Sequence, residues 1–207
     1  MRIYDFKGFP NPTRVRIALA EKGLTDRVEF VSVDVPAGEH KRPEFLVKNP
    51  SGAVPVLELE DGTTIAECTA ITEYLDNLDG KPILTGQNVK ERAIVHMMQR
   101  RAEQGLFDAV ATYFHHATPG LGPHIETYQN AEWGEKNRDR ALAGMSYLDR
   151  LLAGQPFLAG DRFSMADITA FVGLAYADFA EIEVPAKLTN LHAWRGRVAD
   201  RPSVAKA

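Results

Sequence analysis

The segment 49–75, NPSGAVPVLELEDGTTIAECTAITEYL, constrains the fold of this 207-residue chain more than any other stretch. Pro55 stands at the start of a β-prone run, where its nitrogen has no hydrogen to donate to a sheet, and bonds that precede proline are the ones that adopt the cis form. Asp61-Gly62 predicts a tight hairpin turn between two short strands, and a helix is predicted to open at Glu67-Cys68. The segment therefore predicts strand, turn, strand and helix in direct succession.

The same segment predicts a binding socket. A cis bond at Val54-Pro55 would leave the N–H and C=O groups of Val54 free to pair with an extended peptide. The helix N-terminus at Glu67 and Cys68 favours a carboxylate, because unpaired N–H groups and the positive end of the helix dipole meet there. Together the two features predict a socket for a short acidic peptide.

Composition limits the classes of function. The net charge of -4, with no basic stripe, argues against nucleic acid as a partner. No apolar run has transmembrane length, and the opening residues MRIYDFKGF are typical of a strand and not of a signal peptide, so we expect no membrane partner. Cys68 is the only cysteine, which excludes an intrachain disulfide and CxxC redox chemistry. A reducing cytoplasm is the compartment expected for such a chain.

The first 79 residues alternate between strand and helix patterns. Strands are predicted over 2–6, 28–35, 56–59 and 63–65, and helices from about Pro12, within 38–49, and over 69–78. The resulting order is βαβαββα. Residues 80–88 contain Gly80, Pro82 and Gly86 and are predicted to be a linker.

Beyond the linker, the pattern predicts helices alone. They cover about 89–115, 133–152, an almost wholly apolar stretch that begins after Ser164, and 191–198. Ser164 and Asp167 have the spacing of a capping box, and Phe163 and Ile168 that of a hydrophobic staple. The predicted fold is thus an α/β domain over 1–79, the linker, and an all-helical domain over 89–207.

These motifs resemble the glutathione transferase superfamily over nearly the whole chain. In that family, an N-terminal thioredoxin-like domain pairs the cysteinyl part of glutathione with the loop before a cis-proline, which Val54 and Pro55 match. The helix that holds the γ-glutamyl group opens at a Glu/Gln-Ser pair, matched by Glu67 and, with a thiol in place of the hydroxyl, by Cys68. We do not expect Cys68 to be a nucleophile, because it occupies a glutathione-binding position.

Two further residues are implied by the resemblance as glutathione ligands. His40 and Lys41 match the position that binds the glycine carboxylate of glutathione. A hydrogen bond to a charged group, worth roughly 1.5–3 kcal/mol, suits that role.

The implied reaction is attack by the glutathione thiolate on a small hydrophobic electrophile in the helical domain. Glutathione would be the co-substrate, with no metal, and the family implies a homodimer, for which Tyr74, Met97 and Met98 would suit the interface. Three other enzymes could use the same site, namely a glutathione-dependent peroxidase, dehalogenase or isomerase. A non-catalytic binding module of this fold is a further alternative.

The group that activates the thiol is not the usual one. Lowering a thiol pKa by two units requires about 2.7 kcal/mol, more than a helix dipole supplies, so a hydrogen-bond donor is needed. The family uses a tyrosine in the first strand or a serine or cysteine before the first helix. This chain is similar to an atypical fungal and bacterial branch that lacks all three of these residues. Tyr4 does not fill the tyrosine position, because it lies too early in the strand. The Asn11 amide and the Thr13 hydroxyl are the candidate donors.

A histidine is the candidate base. His115 and His116 end the long helix, where either could take the thiol proton directly or through a water, or could simply cap the helix. We prefer His116 and expect His116→Ala to lower turnover with little effect on glutathione affinity. The electrophile pocket is expected to be lined by Phe9, Tyr113 and His116, with Phe171 or Tyr176 as further candidates.

Overall fold

The N-terminal part contains a four-stranded sheet. This computed structural model describes residues 1–205, so residues 206 and 207 of the predicted helical domain lie outside the described residues. The elements are β1 (Arg2–Asp5), α1 (Pro10–Glu21), β2 (Glu29–Ser32), α2 (Pro43–Leu46), β3 (Val56–Glu58), β4 (Thr64–Ala66) and α3 (Cys68–Asn77). The predicted order βαβαββα is confirmed.

The sheet has the strand order β2-β1-β3-β4. Strand β1 pairs in parallel with β2 and antiparallel with β3, and β3 pairs antiparallel with β4. The β3–β4 hairpin turns at Asp61-Gly62, as predicted, with Gly62 at φ +86°, a backbone region that glycine enters at no steric cost. Ile3 and Leu57 of the sheet pack with Val15 and Leu19 of α1 in one hydrophobic core.

The remainder of the described chain is helical. Its helices are α4 (Val89–Ala102), α5 (Asp108–Ala117), α6 (Ala131–Leu152), α7 (Met165–Phe179), α8 (Thr189–Ala199) and α9 (Pro202–Ala205). The prediction of one uninterrupted helix over 89–115 is wrong: a π-helical turn, Glu103–Phe107, separates α4 from α5. The wider π turn changes the rotation of α5 about the helix axis relative to α4. It therefore changes the direction in which the two histidines at the end of α5 point.

Helix α7 is the centre of the helical core, as its apolar sequence predicts. The capping box is present: Asp167 accepts hydrogen bonds from the N–H and hydroxyl of Ser164 at 3.0 and 2.9 Å. The same carboxylate also accepts from Leu158 N–H and Trp194 Nε1–H, both at 2.9 Å. These four hydrogen bonds, from three residues, make Asp167 the polar link between α7, α8 and the loop before α7.

Two kinds of feature are absent from residues 1–205. None of their helices is long and apolar enough to cross a membrane. No group of three or more His, Cys, Asp and Glu side chains in this range is arranged to hold a metal ion.

Candidate active site

Two neighbouring cavities lie between the sheet domain and the helices. The first, of about 340 Å³, has more polar than apolar residues in its lining, which includes Asn11, Arg14, Val54, Pro55, Glu67, Cys68, Thr69 and Glu103. The second, of about 350 Å³, is mostly apolar; its lining includes Phe9, Asn11, His40, Val54, Phe107, Ala111, Phe114, His115, Leu121, Tyr176 and Phe179. Asn11 and Val54 line both, so a ligand in one cavity can present an atom to the other.

The edge of the first cavity can pair with a peptide. The Val54-Pro55 bond is cis, and no residue among 1–205 forms a hydrogen bond with the N–H or C=O of Val54. The preceding loop is held by Asn49, whose amide donates to Ala53 O at 2.8 Å and whose Oδ1 accepts from Ser51 N at 3.2 Å. These hydrogen bonds hold the loop in place, and the Val54 backbone groups have no partner among the described residues.

The start of α3 forms the far end of this cavity. Glu67 precedes the helix with φ +68°, a left-handed conformation that is uncommon outside glycine and that clusters at functional sites. The first helical bond runs from Ile71 N to Glu67 O at 2.9 Å. The N–H groups of Cys68 and Thr69 precede that bond, so they remain unpaired and available to a carboxylate.

Cys68 is buried, and its thiol contacts the start of α1. Sγ donates to the carbonyl oxygen of Asn11, 3.4 Å away. Burial raises the pKa of the Cys68 thiol to about 11, although the nearby Arg14 charge opposes part of the rise. The thiol therefore connects α3 to the start of α1.

The start of α1 offers one strong donor residue. Pro10 and Pro12 have no N–H, and the Thr13 N–H already donates to Phe9 O at 3.0 Å, which leaves the Asn11 N–H as the unpaired donor of the first turn. The Thr13 hydroxyl also turns back to Phe9 O, 2.9 Å away, and Thr13 lines neither cavity. Of the two predicted thiol contacts, only Asn11 reaches the site.

Arg14 orients Asn11, a role that the sequence did not indicate. Its guanidinium is buried and donates to Asn11 Oδ1 at 3.0 Å and to Glu103 Oε1 at 2.5 Å. Because Oδ1 is engaged, the Asn11 Nδ2–H donors, which have no partner among residues 1–205, remain for a ligand. Arg14 lies among the apolar positions of α1, and Glu103 belongs to the unpredicted π turn, so no pattern paired them.

The predicted glycine-carboxylate ligands have different surroundings. His40 is only 5% exposed and lines the second cavity. Its Nδ1 has no partner in the described part of the chain, and burial, helped by the Lys41 charge, lowers its pKa. Lys41 lines neither cavity; its ammonium donates to Gly52 O at 2.8 Å and so supports the loop before Val54.

The structure places His115 at the second cavity and His116 away from it. His115 Nδ1 lies 2.7 Å from Glu126 Oε1, and the same oxygen accepts from Leu121 N at 2.9 Å. His116 Nδ1 instead accepts from the Asn130 N–H at 3.1 Å, at the N-terminus of α6. The preference for His116 as base and pocket residue is therefore corrected in favour of its neighbour. Glu126 had no sequence signal because it lies in an irregular loop.

The apolar lining of the second cavity also differs from the prediction. Phe9 and Tyr176 line it, whereas Tyr113 and Phe171 pack against the helical core. Tyr113 is displaced because adjacent positions on a helix point about 100° apart, and it is Phe114 that faces the cavity. Tyr4 is also outside the site: its hydroxyl donates to Glu58 at 3.0 Å.

Known proteins share both the sequence and this architecture. Residues 10–78 match the model of the glutathione S-transferase N-terminal domain, and residues 131–197 match that of the C-terminal domain. Glutathione S-transferase 2 of Saccharomyces cerevisiae is 58% identical over 206 residues, which span 100% of this chain and 88% of that protein. The chain belongs to the glutathione S-transferase family.

Solved structures agree with this assignment. The crystal structure of Gtt2 from Saccharomyces cerevisiae superimposes with a TM-score of 0.98 at 58% identity, and covers 100% of this chain and 99% of that one. A glutathione S-transferase domain-containing protein from Marinobacter aquaeolei gives 0.97 at 59% identity, with 99% and 100% covered. The predicted fold and the predicted enzyme class, a glutathione transferase, are confirmed. The peroxidase, dehalogenase, isomerase and binding-module alternatives are not favoured.

Proposed function

We propose that this glutathione transferase binds glutathione in the first cavity and joins its sulfur to a small hydrophobic electrophile held in the second, a detoxification reaction. The observation that carries the proposal is the pair of adjoining cavities, one polar and one aromatic, which share Asn11 and Val54. Glutathione acts as co-substrate, and its sulfur is the atom that must lie beside Asn11 and Val54, where the two cavities meet.

Each part of glutathione has a matching group. The γ-glutamyl carboxylate meets the unpaired N–H groups at the start of α3, beside Glu67, Cys68 and Thr69. The cysteinyl backbone pairs with Val54, as a strand would. The glycine part extends past Val54, which lines both cavities, toward His40 in the second cavity, although the Nδ1 atom of His40 is itself sealed inside the protein.

The thiolate is stabilised by Asn11 and formed with the help of His115. Asn11 contributes its backbone N–H and its Nδ2–H groups, and Arg14 fixes the amide that carries them. The Nδ1–H of His115 donates to Glu126, so in the neutral form the acceptor atom is Nε2. A base held in one orientation by a carboxylate is the arrangement that activates nucleophiles in many enzymes.

The working unit is proposed to be a cytoplasmic homodimer of two-domain chains. The division at 1–79, 80–88 and 89–207 is supported by the end of α3 at Asn77 and the start of α4 at Val89. Leu78 and Met97 are 41% and 43% exposed, which suits an interface, whereas Met98 is buried in the helical core and cannot contribute. A molar mass equal to that of one chain in light scattering would contradict the dimer.

A titration of bound glutathione tests the proposal. Its thiolate absorbance, followed in the ultraviolet from pH 5 to 9, should give a thiol pKa well below the free value of about 8.5. Asn11→Ala should raise that pKa by about one unit or more, because a hydrogen bond to a charged group contributes roughly 1.5–3 kcal/mol.

The control is Asn190→Ala, since Asn190 lies on α8, lines neither cavity, and its side-chain amide donates to Asp149. This variant should leave the thiol pKa unchanged. Binding of glutathione with an unshifted pKa in the unmodified protein would reject the transferase mechanism and support a binding module.

A further inference from the structure

The loop between α5 and α6, residues 118–130, crosses from the helical domain to the sheet domain beside the second cavity, and we call it the strap. Leu121 of the strap lines that cavity, and so does Val35 of the sheet domain. A little further along the strap, the Nε2 atom of His124 lies 2.8 Å from the carbonyl oxygen of Pro36. Pro36 directly follows Val35, so this contact joins the helical side of the cavity to its sheet side.

The strap is fixed firmly at its base and weakly at its tip. At the base, the Gln129 amide donates to the carbonyl oxygens of His115 and Thr118, both at 2.8 Å. At the tip, the bond from His124 to Pro36 is the only hydrogen bond between the strap and the sheet domain in the described part of the chain. His124 is exposed, and a single neutral hydrogen bond contributes only a small net free energy. The tip therefore detaches more readily than the base.

The sheet side of this bond is a preformed acceptor. The turn that contains Pro36 is held by its own hydrogen bonds, among them one from the Ala37 N–H to Asp34 Oδ1 at 2.9 Å. A carbonyl oxygen only accepts, so His124 Nε2 is the atom that carries the proton, as it does in the charged ring and in one neutral tautomer. The bond thus pairs a donor on the strap with an acceptor whose position the sheet domain fixes.

The strap is also a wall of a small cavity. The volume of about 350 Å³ lies near the lower end of the range for ligand pockets, about 300–1,000 Å³. The rest of the lining includes residues of α1, α5 and α7, which are held by the hydrogen bonds of their helices, whereas the strap contributes Leu121 from an irregular loop. A ligand that fills the cavity therefore meets its least constrained wall at the strap.

We propose that His124 is a specificity-determining residue, because its bond to Pro36 holds the strap wall in place and so sets the size limit of the electrophile. The inference rests on the proposed transferase function and narrows its substrates to compact electrophiles, which fit while the bond is closed. A larger electrophile has to detach the tip of the strap. His124 does not line the cavity; it acts by positioning Leu121, which does.

A series of S-alkylglutathiones tests the size limit, because each carries its alkyl chain in the place of the transferred group. Each methylene group buried in the apolar cavity should tighten binding about fourfold until the chain reaches the strap. In calorimetric titrations of the unmodified protein, the gain per methylene should therefore decline from S-butyl- through S-hexyl- and S-octyl- to S-decylglutathione. In His124→Ala the gain should continue to longer chains, so the ratio of the S-butyl to the S-decyl dissociation constant should increase at least about threefold.

Two further variants separate the hydrogen bond from other effects. His192→Ala is the matched control, because His192 Nε2 also lies beside a proline carbonyl oxygen, that of Pro185 at 3.3 Å, but on α8 and outside both cavities. It should leave the ratio unchanged. His124→Gln supplies an amide N–H at the same position, and its ratio should lie closer to that of the unmodified protein than to that of His124→Ala.

An unchanged ratio in His124→Ala would overturn the role of His124, and so would an equal weakening of all four ligands or a ratio in His124→Gln equal to that of the alanine variant. Because His124 is exposed and lies outside the helices, the melting temperature of these variants should match that of the unmodified protein. The unmodified protein also provides a test without any variant: a constant gain per methylene as far as S-decylglutathione would contradict the size limit. If it bound none of the four ligands, the proposed transferase function itself would be rejected.

Discussion

Two adjacent histidines show how strongly function depends on the direction of a single side chain. His115 reaches the aromatic cavity and donates to Glu126 at 2.7 Å, whereas His116 accepts a hydrogen bond from the Asn130 N–H at 3.1 Å. A base that contacts the thiol proton contributes about 10²–10⁴-fold to a rate. A histidine that holds a loop contributes only to stability.

This difference gives a prediction for the pair. His115→Ala should lower kcat by about tenfold or more near pH 7 while the dissociation constant of glutathione changes less than about threefold, since Nε2 acts on the proton and not on binding. His116→Ala should retain kcat. Steady-state kinetics and calorimetric titration of glutathione measure both. The reverse ranking would show that the cavity geometry does not identify the base.

The sequence could indicate candidate site residues, but not the direction in which their side chains point. The sequence indicated Asn11, Val54 and Glu67, because a helix start, a proline and a hairpin mark their positions locally, whereas His40 was implied only by the family resemblance. It could not show that the Thr13 hydroxyl turns back to Phe9 O. It also could not select between the two histidines, whose direction depends on the π turn one helical segment earlier.

At the scale of elements, that π turn brings several parts of the site together. It places Glu103 where the carboxylate accepts from Arg14 at 2.5 Å and from the Thr69 hydroxyl at 3.3 Å. It also brings the Gly105 carbonyl against α6, where a methyl group added to Gly144 would lie 2.1 Å from that oxygen. The close approach of the two helices therefore requires glycine at position 144.

Gly144→Ala should accordingly destabilise the fold by about 1–3 kcal/mol, because backbone atoms would have to move apart. Urea denaturation measures the loss, and the glutathione affinity should fall with it since Glu103 would shift. Gly196→Ala is the control: Gly196 is exposed in α8 with nothing within 4 Å of an added methyl group, and alanine should add about 0.5–1 kcal/mol there. Similar changes in both variants would contradict the contact.

The sequence predicted the helices and strands well where prolines, glycines and caps mark their ends. It predicted them poorly where the local conformation depends on a contact with a residue distant in sequence. The hairpin at Asp61-Gly62 and the capping box at Ser164 and Asp167 are local patterns, and both are present. A single glycine within a helical pattern is tolerated in an ordinary α-helix. Gly105 therefore did not reveal the π turn, whose position depends on packing against α6.

The whole molecule is held together by contacts that no local pattern could indicate. Arg201, at the start of the last helical segment, donates to both carboxylate oxygens of Glu21 in α1, each at 2.8 Å, across 180 residues of sequence. Ser203 donates to the same carboxylate, and the Arg201 guanidinium lies 4.0 Å from the centroid of Phe163. The end of the described chain is thereby joined to the sheet domain and to the start of α7.

This junction should make stability depend on pH in a defined direction. Burial raises the pKa of Glu21, but the hydrogen bonds from Arg201 and Ser203 outweigh it and lower the pKa below its ordinary value. A lowered carboxyl pKa contributes stability above the unfolded-state pKa of about 4.3, and the contribution disappears as the pH falls through the folded-state pKa.

Arg201→Met should therefore lower the free energy of unfolding by about 1–3 kcal/mol at pH 7, because it leaves a mostly buried carboxylate without its cation. The difference between the two proteins should shrink as the pH falls from about 5 to about 3, where Glu21 becomes protonated and needs no cation. Arg2→Met is the control, since Arg2 and Glu29 are 54% and 65% exposed and such a pair contributes about 0–1 kcal/mol. Urea denaturation at several pH values measures both variants. A deficit in Arg201→Met that is the same at pH 3 and pH 7 would show that Arg201 acts through packing on Phe163 and not through the charge of Glu21.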